Sequence, residues 1–465
     1  MSRTHFSSRC GFILATAASA IGLGNIWRFP YIVGQNGGGA FILLYLLCLG
    51  FIGYFLLSFK LAFGREAQTN FSNAFDALGE RLNHRISPYW KKAATFFTLG
   101  NIFLLTSIYV IVIGWTLFYC LDSVLKVLVY SAPVSSEELF KANAESFSQQ
   151  FFWSTVCILF ATFVVSKGIK NGIEKTSLFL MPLLFGLLFL MLGRTFFLSN
   201  VQKGLSFFLL PDWQKIGFTT KGFDFNVFST VLIRAMGQAI YSLSLGMGVV
   251  MAYGSYLSKK ENIKVNALYI VGLDLLVSLI AGMIVIPSVF AFDLEVTSGP
   301  GLTFITLPLI FERMWGGSFF AFSFFFLLFL AAITSFISMY EPVTAYIMDR
   351  YKLSRKKAAI IFASINFAGM TVVLLSFTGV WKTKFYERNL FDLFDWITGT
   401  FSLSLTLTVF SLFMGWIAFD PIWESLNTGS KSKSIVLKYY LKLLLRWVAP
   451  YLFIILIIFE CLSNH

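Results

Sequence analysis

Apolar residues in this chain neither alternate as in a strand nor keep to one face of a helix. They come in continuous blocks separated by short polar, mostly basic, segments. A helix rises 1.5 Å per residue, so roughly 20 apolar residues cross the hydrocarbon core of a bilayer. Eleven blocks of that kind are predicted, at about 12–33, 40–62, 94–124, 151–166, 177–198, 227–257, 265–291, 318–348, 358–377, 393–419 and 447–462. Several are long enough to tilt or to break, and the sixth contains Gly246 and Gly248. The fourth and last are the shortest. The pattern predicts an all-α integral membrane protein with about 11 transmembrane helices in one domain spanning 1–465.

Composition agrees. Of 465 residues, 57% are hydrophobic and 13% charged, against about 25% charged in a soluble domain. Fifty-five Phe exceed what a soluble core needs and suit lipid-facing surfaces. The net charge of +13 follows the loops. With the N-terminus inside, Arg3, Arg9, Arg65, Arg81, Lys91, Lys92, Lys167, Lys170, Lys175, Lys259, Lys260, Arg350, Lys352, Arg355, Lys438 and Arg446 fall on the cytoplasmic side, as retention of positive charge during insertion requires. The basic balance therefore reports topology in a cytoplasmic membrane and gives no sign of nucleic-acid binding. An odd number of spans puts the C-terminus outside.

Arg3 and Arg9 followed by an apolar run resemble a cleavable signal peptide, but the run continues through Ile21–Pro30 without a polar mature start. It is expected to be retained as the first span. The five Cys and three His show no metal-type spacing, and no nucleophile–base pairing or phosphate-binding loop stands out. No enzyme is proposed.

The unusual chemistry lies in the backbone of two spans. Gly22 and Gly24, followed by Asn25, Arg28 and Pro30, sit inside the first. Each Gly weakens a helix by roughly 1 kcal/mol relative to Ala. A break at mid-membrane frees N–H and carbonyl groups that lipid cannot satisfy, so it survives only around a cavity or ligand. Ser242 to Gly248 repeats the theme in the sixth span. Close packing through small residues is the alternative for either segment alone. The two breaks correspond if 1–198 (helices 1–5) and 227–419 (helices 6–10) are inverted repeats followed by helix 11 at 447–462. Half-helix N-termini offer N–H groups to an anion and half-helix C-termini offer carbonyls to a cation, so a zwitterion with sodium would satisfy both.

Gly22-Leu-Gly-Asn-Ile-Trp-Arg-Phe-Pro-Tyr31, Asn36-Gly-Gly-Gly-Ala-Phe41, Lys167-Gly-Ile-Lys-Asn-Gly-Ile-Glu174, Ser242–Gly248 and Thr334-Ser335 closely resemble the signature of the neurotransmitter:sodium symporter family, especially its eleven-span bacterial amino-acid transporters. Broken spans in this family are among those from which the link between such breaks and a midplane site is drawn. The resemblance implies a five-plus-five inverted repeat with helices 1 and 6 broken at mid-membrane. It further implies sodium-coupled, alternating-access symport of neutral hydrophobic or aromatic amino acids.

Carried over by motif, two sodium ions are expected. The first would be held by the Ala20 carbonyl, the Asn25 amide oxygen, Ser242 and Asp274, with the substrate carboxylate. The second would be held by carbonyls of Ala18, Ile21 and Ala331 and the hydroxyls of Thr334 and Ser335, although such hydroxyls also bond the carbonyl one turn back. Substrate would meet Tyr109 and the N–H groups near Gly22 and Gly24 through its carboxylate, and carbonyls of Ala20, Tyr241 and Ser244 through its amine. Leu105, Tyr241, Met247 and Met339, with Ser335 nearby, would surround its side chain. Gly22 leaves the space that a side-chain carboxylate fills in monoamine carriers of the family, which implies an amino acid.

Arg28 and Asp395, with Gln238, would gate the outer side, and Arg3 and Asp349, with Phe6, Ser255 and Tyr256, the inner side. Chloride, which animal members bind at positions matching Tyr45, Gln238, Ser242 and Ser278, would be replaced by the Asp274 carboxylate. A one-residue shift in the seventh span would put Leu273 there instead. Lys60 departs from the Glu usual at its position and would be free to snorkel to the cytoplasm. Ala18 stands where Gly is found in the leucine transporter. A transporter-derived sensor without coupled flux is the alternative reading, and neither the amino acid nor the oligomeric state is legible.

Overall fold

The computed structural model describes residues 5–82, 88–128, 135–220, 222–294, 300–381, 389–428 and 435–463. Among them, nine unbroken helices are long and apolar enough to cross a membrane, and the pair Arg9–Ala20 and Gly24–Gln35, bent by 54°, forms one more crossing. The sixth predicted span is also split, into Phe225–Ser242 and Val249–Gly254. The protein is thus a multi-pass, all-α membrane protein with two interrupted spans, plus a two-residue hairpin pairing Phe218–Thr219 with Gly222–Phe223.

The bend in the first span begins where Ile21 turns extended, with ψ 104°, while its N–H still bonds Ala17 at 2.7 Å. The chain becomes helical again at Gly24, in a wide turn whose last N–H, that of Phe29, reaches back to the Gly24 carbonyl. In the sixth span Leu243–Gly248 is not helical; Ser244 and Gly248 take φ of 51° and 71°. The break costs Gly248 nothing, whereas Ser244 needs support for its left-handed backbone.

Several boundaries move. The third span runs Pro88–Leu128 and the eighth Gly317–Tyr351, longer than 94–124 and 318–348. These two helices pack along one another and form the wall facing both breaks. The fifth span starts near Ile169 and carries Pro182 inside it. The last begins at Ile435 rather than 447 because its basic first turns have a counter-charge: Lys438 and Lys442 lie 2.8 and 3.3 Å from Asp420. Those ammonium groups, Lys438 first, hold the Asp420 carboxyl below its usual range.

Candidate functional site

Asn25, one residue beyond Gly24, is fully buried and joins the first span to the sixth and seventh. Its amide oxygen accepts from the Gly22 N–H at 3.0 Å. Its amide nitrogen lies 2.7 Å from Asp274 Oδ1, 2.8 Å from Ser278 Oγ and 2.9 Å from Ser242 Oγ. The Ser242 hydroxyl donates to both Asp274 oxygens, at 2.9 and 2.7 Å. Asp274, on Ile263–Ala291, therefore faces the break, and the alternative register through Leu273 is not adopted. A buried carboxylate needs donors, and this one draws the nitrogen side of Asn25 toward itself rather than the oxygen expected from the sequence. Two further groups at this level are buried: the Tyr45 hydroxyl, lying against Asp274, Ser242 and Ser278, and Gln238 Oε1, which has no hydrogen-bond partner among the described residues. Gln238 Nε2 donates to the Gly24 carbonyl at 3.0 Å, so this side chain braces the break.

A second oxygen cluster lies on the other side of the break. Ser335, on the eighth span, donates to the carbonyls of Ala18 and Ile21 at 3.1 and 3.0 Å. Its neighbour Thr334 bonds back to Leu330 and Ala331 carbonyls at 2.9 and 3.1 Å. One hydroxyl follows the local structural habit and the other crosses between helices. Both are buried: Ser335 meets the Ala18 and Ile21 carbonyls, and its neighbour Thr334 meets the Ala331 carbonyl on its own helix.

Between the clusters is a cavity of about 20 Å³ lined by Ala20, Gly22, Leu23, Gly24, Leu105, Tyr109, Tyr241, Ser244, Met247, Ser335 and Met339. All the substrate-site residues expected from the sequence meet there; only Leu23 was not expected. The Tyr109 hydroxyl accepts from the Leu23 N–H at 3.3 Å, and Ser244 donates to the Ser19 carbonyl at 3.0 Å. Both glycines are required by space. A Cβ at Gly22 would stand 2.8 Å from Ser335 Oγ and from the Tyr109 hydroxyl, and one at Gly24 2.8 Å from the Tyr241 ring.

A vestibule of about 390 Å³ adjoins this cavity, sharing Leu23, Gly24, Leu105, Tyr109 and Tyr241 with it. Arg28 and Asp395 both line the vestibule, and the Arg28 guanidinium lies 4.6 Å from the centre of the Tyr241 ring. On the opposite side the described residues pack against one another. Phe6 meets Tyr253 edge-on at 5.7 Å and its N–H donates to the Tyr256 carbonyl at 3.3 Å. The Tyr256 hydroxyl donates to Glu341 at 2.6 Å, and Glu341 pairs with Arg355. Asp349 accepts from Asn70 at 2.7 Å. Arg3 lies outside the described residues.

Sequence reasoning missed Glu341 and Arg355; the available signal was an acidic residue deep in an apolar span, which is costly without a partner. It also misjudged Lys60. This side chain does not snorkel: it is fully buried, donates to the Leu245 carbonyl in the sixth-span break, and lies 4.6 Å from the centre of the Phe410 ring. The freed carbonyl offers a nearer partner than the interface.

The chain matches the sodium:neurotransmitter symporter family over residues 3–150 and 141–465. It is 31% identical to an uncharacterized sodium-dependent transporter of Haemophilus influenzae, covering 98% of this chain and 97% of the relative. It is also 31% identical to the Bacillus subtilis sodium-dependent transporter YhdH, covering 97% and 96%. Its structure superposes on that of MhsT in complex with L-phenylalanine with a TM-score of 0.84 at 33% identity, covering 98% and 99%.

Proposed function

We propose, from the premise that this chain belongs to the sodium:neurotransmitter symporter family, that it couples the inward movement of two sodium ions to uptake of a neutral hydrophobic or aromatic amino acid. The observation that carries the reading is the central cavity, bracketed by two oxygen clusters and lined by the half-helix ends of the first span.

In this reading the Ala20 carbonyl, Asn25, Ser242 and Asp274 hold one ion, with the Asn25 amide turned so that its oxygen faces it. Carbonyls of Ala18, Ile21 and Ala331 with Thr334 and Ser335 hold the other. Oxygen-only sets suit a hard cation. The substrate carboxylate meets Tyr109 and the N–H groups of the restarting helix at Gly22 and Gly24, and its amine meets carbonyls of Ala20, Tyr241 and Ser244. Leu105, Tyr241, Met247 and Met339 accommodate an apolar side chain, the two Met by repacking. The phenylalanine named for the similar MhsT structure supports an aromatic substrate.

The vestibule side, with Arg28 and Asp395, is the outer face, and the side closed by Phe6, Tyr253, Tyr256 and Asp349 the cytoplasmic one. That orientation puts the N-terminus inside and the C-terminus outside. The paired breaks support repeats at 1–198 and 227–419. Chloride is not needed, because Asp274 supplies a fixed negative charge beside the first ion.

Uptake of labelled L-phenylalanine and L-leucine into proteoliposomes tests the reading. A sodium gradient should drive accumulation, replacing sodium by choline should abolish it, and replacing chloride by gluconate at constant potential should leave it intact. Undiminished uptake in choline defeats sodium coupling, and loss in gluconate defeats the role given to Asp274. Binding without flux would favour a sensor.

A further inference from the structure

The geometry points to Lys60 as a positioning residue for the central cavity: an internal ammonium that holds the Leu245 carbonyl and thereby fixes the non-helical turn carrying Ser244 and Met247. This inference rests on the transport reading above. It starts from where the cation is. Lys60 lies within Tyr54–Ala67, is 0% exposed, and has no carboxylate within salt-bridge range among the described residues. A buried ammonium without a counter-charge is costly, so its few contacts must be good ones. Those contacts are the Leu245 carbonyl and the face of Phe410. Leu245 belongs to the break, just past the C-terminal end of Phe225–Ser242, where carbonyls lack helical partners and the helix dipole favours a cation.

The surroundings fix the distance between donor and acceptor. Gly64, one turn after Lys60 on the same face of the second span, approaches the Val249–Gly254 half so closely that a Cβ would stand 2.1 Å from the Met251 carbonyl. At Gly254 a Cβ would stand 2.5 Å from the Leu61 carbonyl. Further along, a Cβ at Gly53 would meet Leu243 at 2.8 Å. The second span therefore holds the sixth by backbone contact after Lys60 and by the Leu243 side chain before it, which leaves the ammonium aimed at the turn between. On the tenth span, Leu403 presses on Gly246 in the same way, with 2.4 Å left for a Cβ.

The turn so held is a strained one. Ser244 is in the left-handed region at φ 51°, and its hydroxyl bonds the Ser19 carbonyl at 3.0 Å across the first break. Ser244 and Met247 both line the cavity, on either side of the Leu245–Gly246 pair that Lys60 and Leu403 fix. The direction of the hydrogen bond matters. A carbonyl accepts and needs a donor, so an acceptor at position 60 would face the Leu245 oxygen with like polarity.

The test compares wild type with Lys60→Arg, Lys60→Met, Lys60→Gln and Lys60→Glu, using labelled L-phenylalanine uptake in proteoliposomes and melting in detergent. Lys60→Arg should keep the apparent substrate affinity within about threefold, and Lys60→Met should weaken it by about tenfold. Maximal rate should change less than affinity in Lys60→Met. Lys60→Glu should be weaker than Lys60→Gln, since only Gln can donate. Unchanged substrate affinity in Lys60→Met, or a lowered melting temperature with no change in affinity, overturns the assignment. If Lys60→Met does not fold, equal affinities in Lys60→Gln and Lys60→Glu overturn it instead. A wild-type protein that shows no sodium-dependent uptake or binding defeats the transport reading and, with it, this inference; wild-type uptake with an unchanged affinity in Lys60→Met defeats this one alone.

Discussion

At the scale of single residues, the cavity is defined as much by missing atoms as by present ones. Gly22 and Gly24 keep open the space that Ser335, Tyr109 and Tyr241 border, with 2.8 Å available to a Cβ at each. Overpacking a close site costs roughly 1–3 kcal/mol. Gly22→Ala and Gly24→Ala are therefore expected to weaken amino-acid binding by about 5-fold to 150-fold. Gly186→Ala, in the fifth span with nothing within 4 Å of its Cβ, should bind as wild type and melt no lower, since Ala is the better helix former. Equal affinities in all three variants would show that the space at the first break is not where substrate sits. Asn25 and Ser335 were legible because they stand in the family's motifs, whereas Tyr109 and Asp274 lie outside them and Asp274 rested on a choice of register against Leu273. Which way the Asn25 amide turns was not legible, for it is decided by Asp274, 249 residues away. Glu341 and Arg355 were missed for the same reason: spacing along the chain does not reveal a pair made by the turn between two spans.

At the scale of elements, the half-helix Arg9–Ala20 is held at its start by one carboxylate. Glu174, buried at 1% exposure, accepts from the Ser7 N–H and hydroxyl at 2.8 and 2.6 Å and from the Ser8 N–H at 3.1 Å. Ser8 in turn caps the helix through the Gly11 N–H at 2.9 Å. Gly11 makes the approach possible, since a Cβ there would lie 2.0 Å from Glu174 Oε1. Hydrogen bonds to a charged acceptor contribute about 2 kcal/mol. Glu174→Ala should lower hydrogen-exchange protection of residues 9–20 by roughly 30-fold, with residues 355–377 as an unaffected internal reference. Unchanged protection at 9–20 would mean that Phe6 and Tyr256, not Glu174, anchor the segment. The half-helices themselves were legible from two glycine-containing segments at corresponding places, since either one alone reads equally as close helix packing. The length of the last helix was not. Lys438 and Lys442 read as loop residues until Asp420, from the short helix Phe419–Asn427, is seen beside them.

At the scale of the molecule, a vestibule of about 390 Å³ adjoins the central cavity on one side, and Phe6, Tyr253 and Tyr256 pack together on the other among the described residues. Tyr109 and Tyr241 line both the vestibule and the cavity, whereas the half-helix Arg9–Ala20 is held at its start by Glu174. In the proposed reading, an ion at each cluster ties the position of the first span to occupancy: one cluster joins Asn25 to the sixth and seventh spans, and the other joins Ala18 and Ile21 to the eighth. Two ions, as proposed, would move two charges per zwitterion. One charge crossing 100 mV is worth roughly 2.3 kcal/mol, so a 60 mV step is worth about 1.4 kcal/mol per charge, or tenfold in the accumulation ratio. In proteoliposomes clamped with a potassium ionophore at fixed sodium, a 60 mV step should change steady-state L-phenylalanine accumulation by about 100-fold. A tenfold change means one net charge per substrate, and the two-ion assignment then fails. Ser335→Ala removes the hydroxyl that crosses to Ala18 and Ile21, and it should reduce the response to about tenfold if that cluster holds the second ion. A 100-fold response that survives Ser335→Ala would place the second charge elsewhere in the protein.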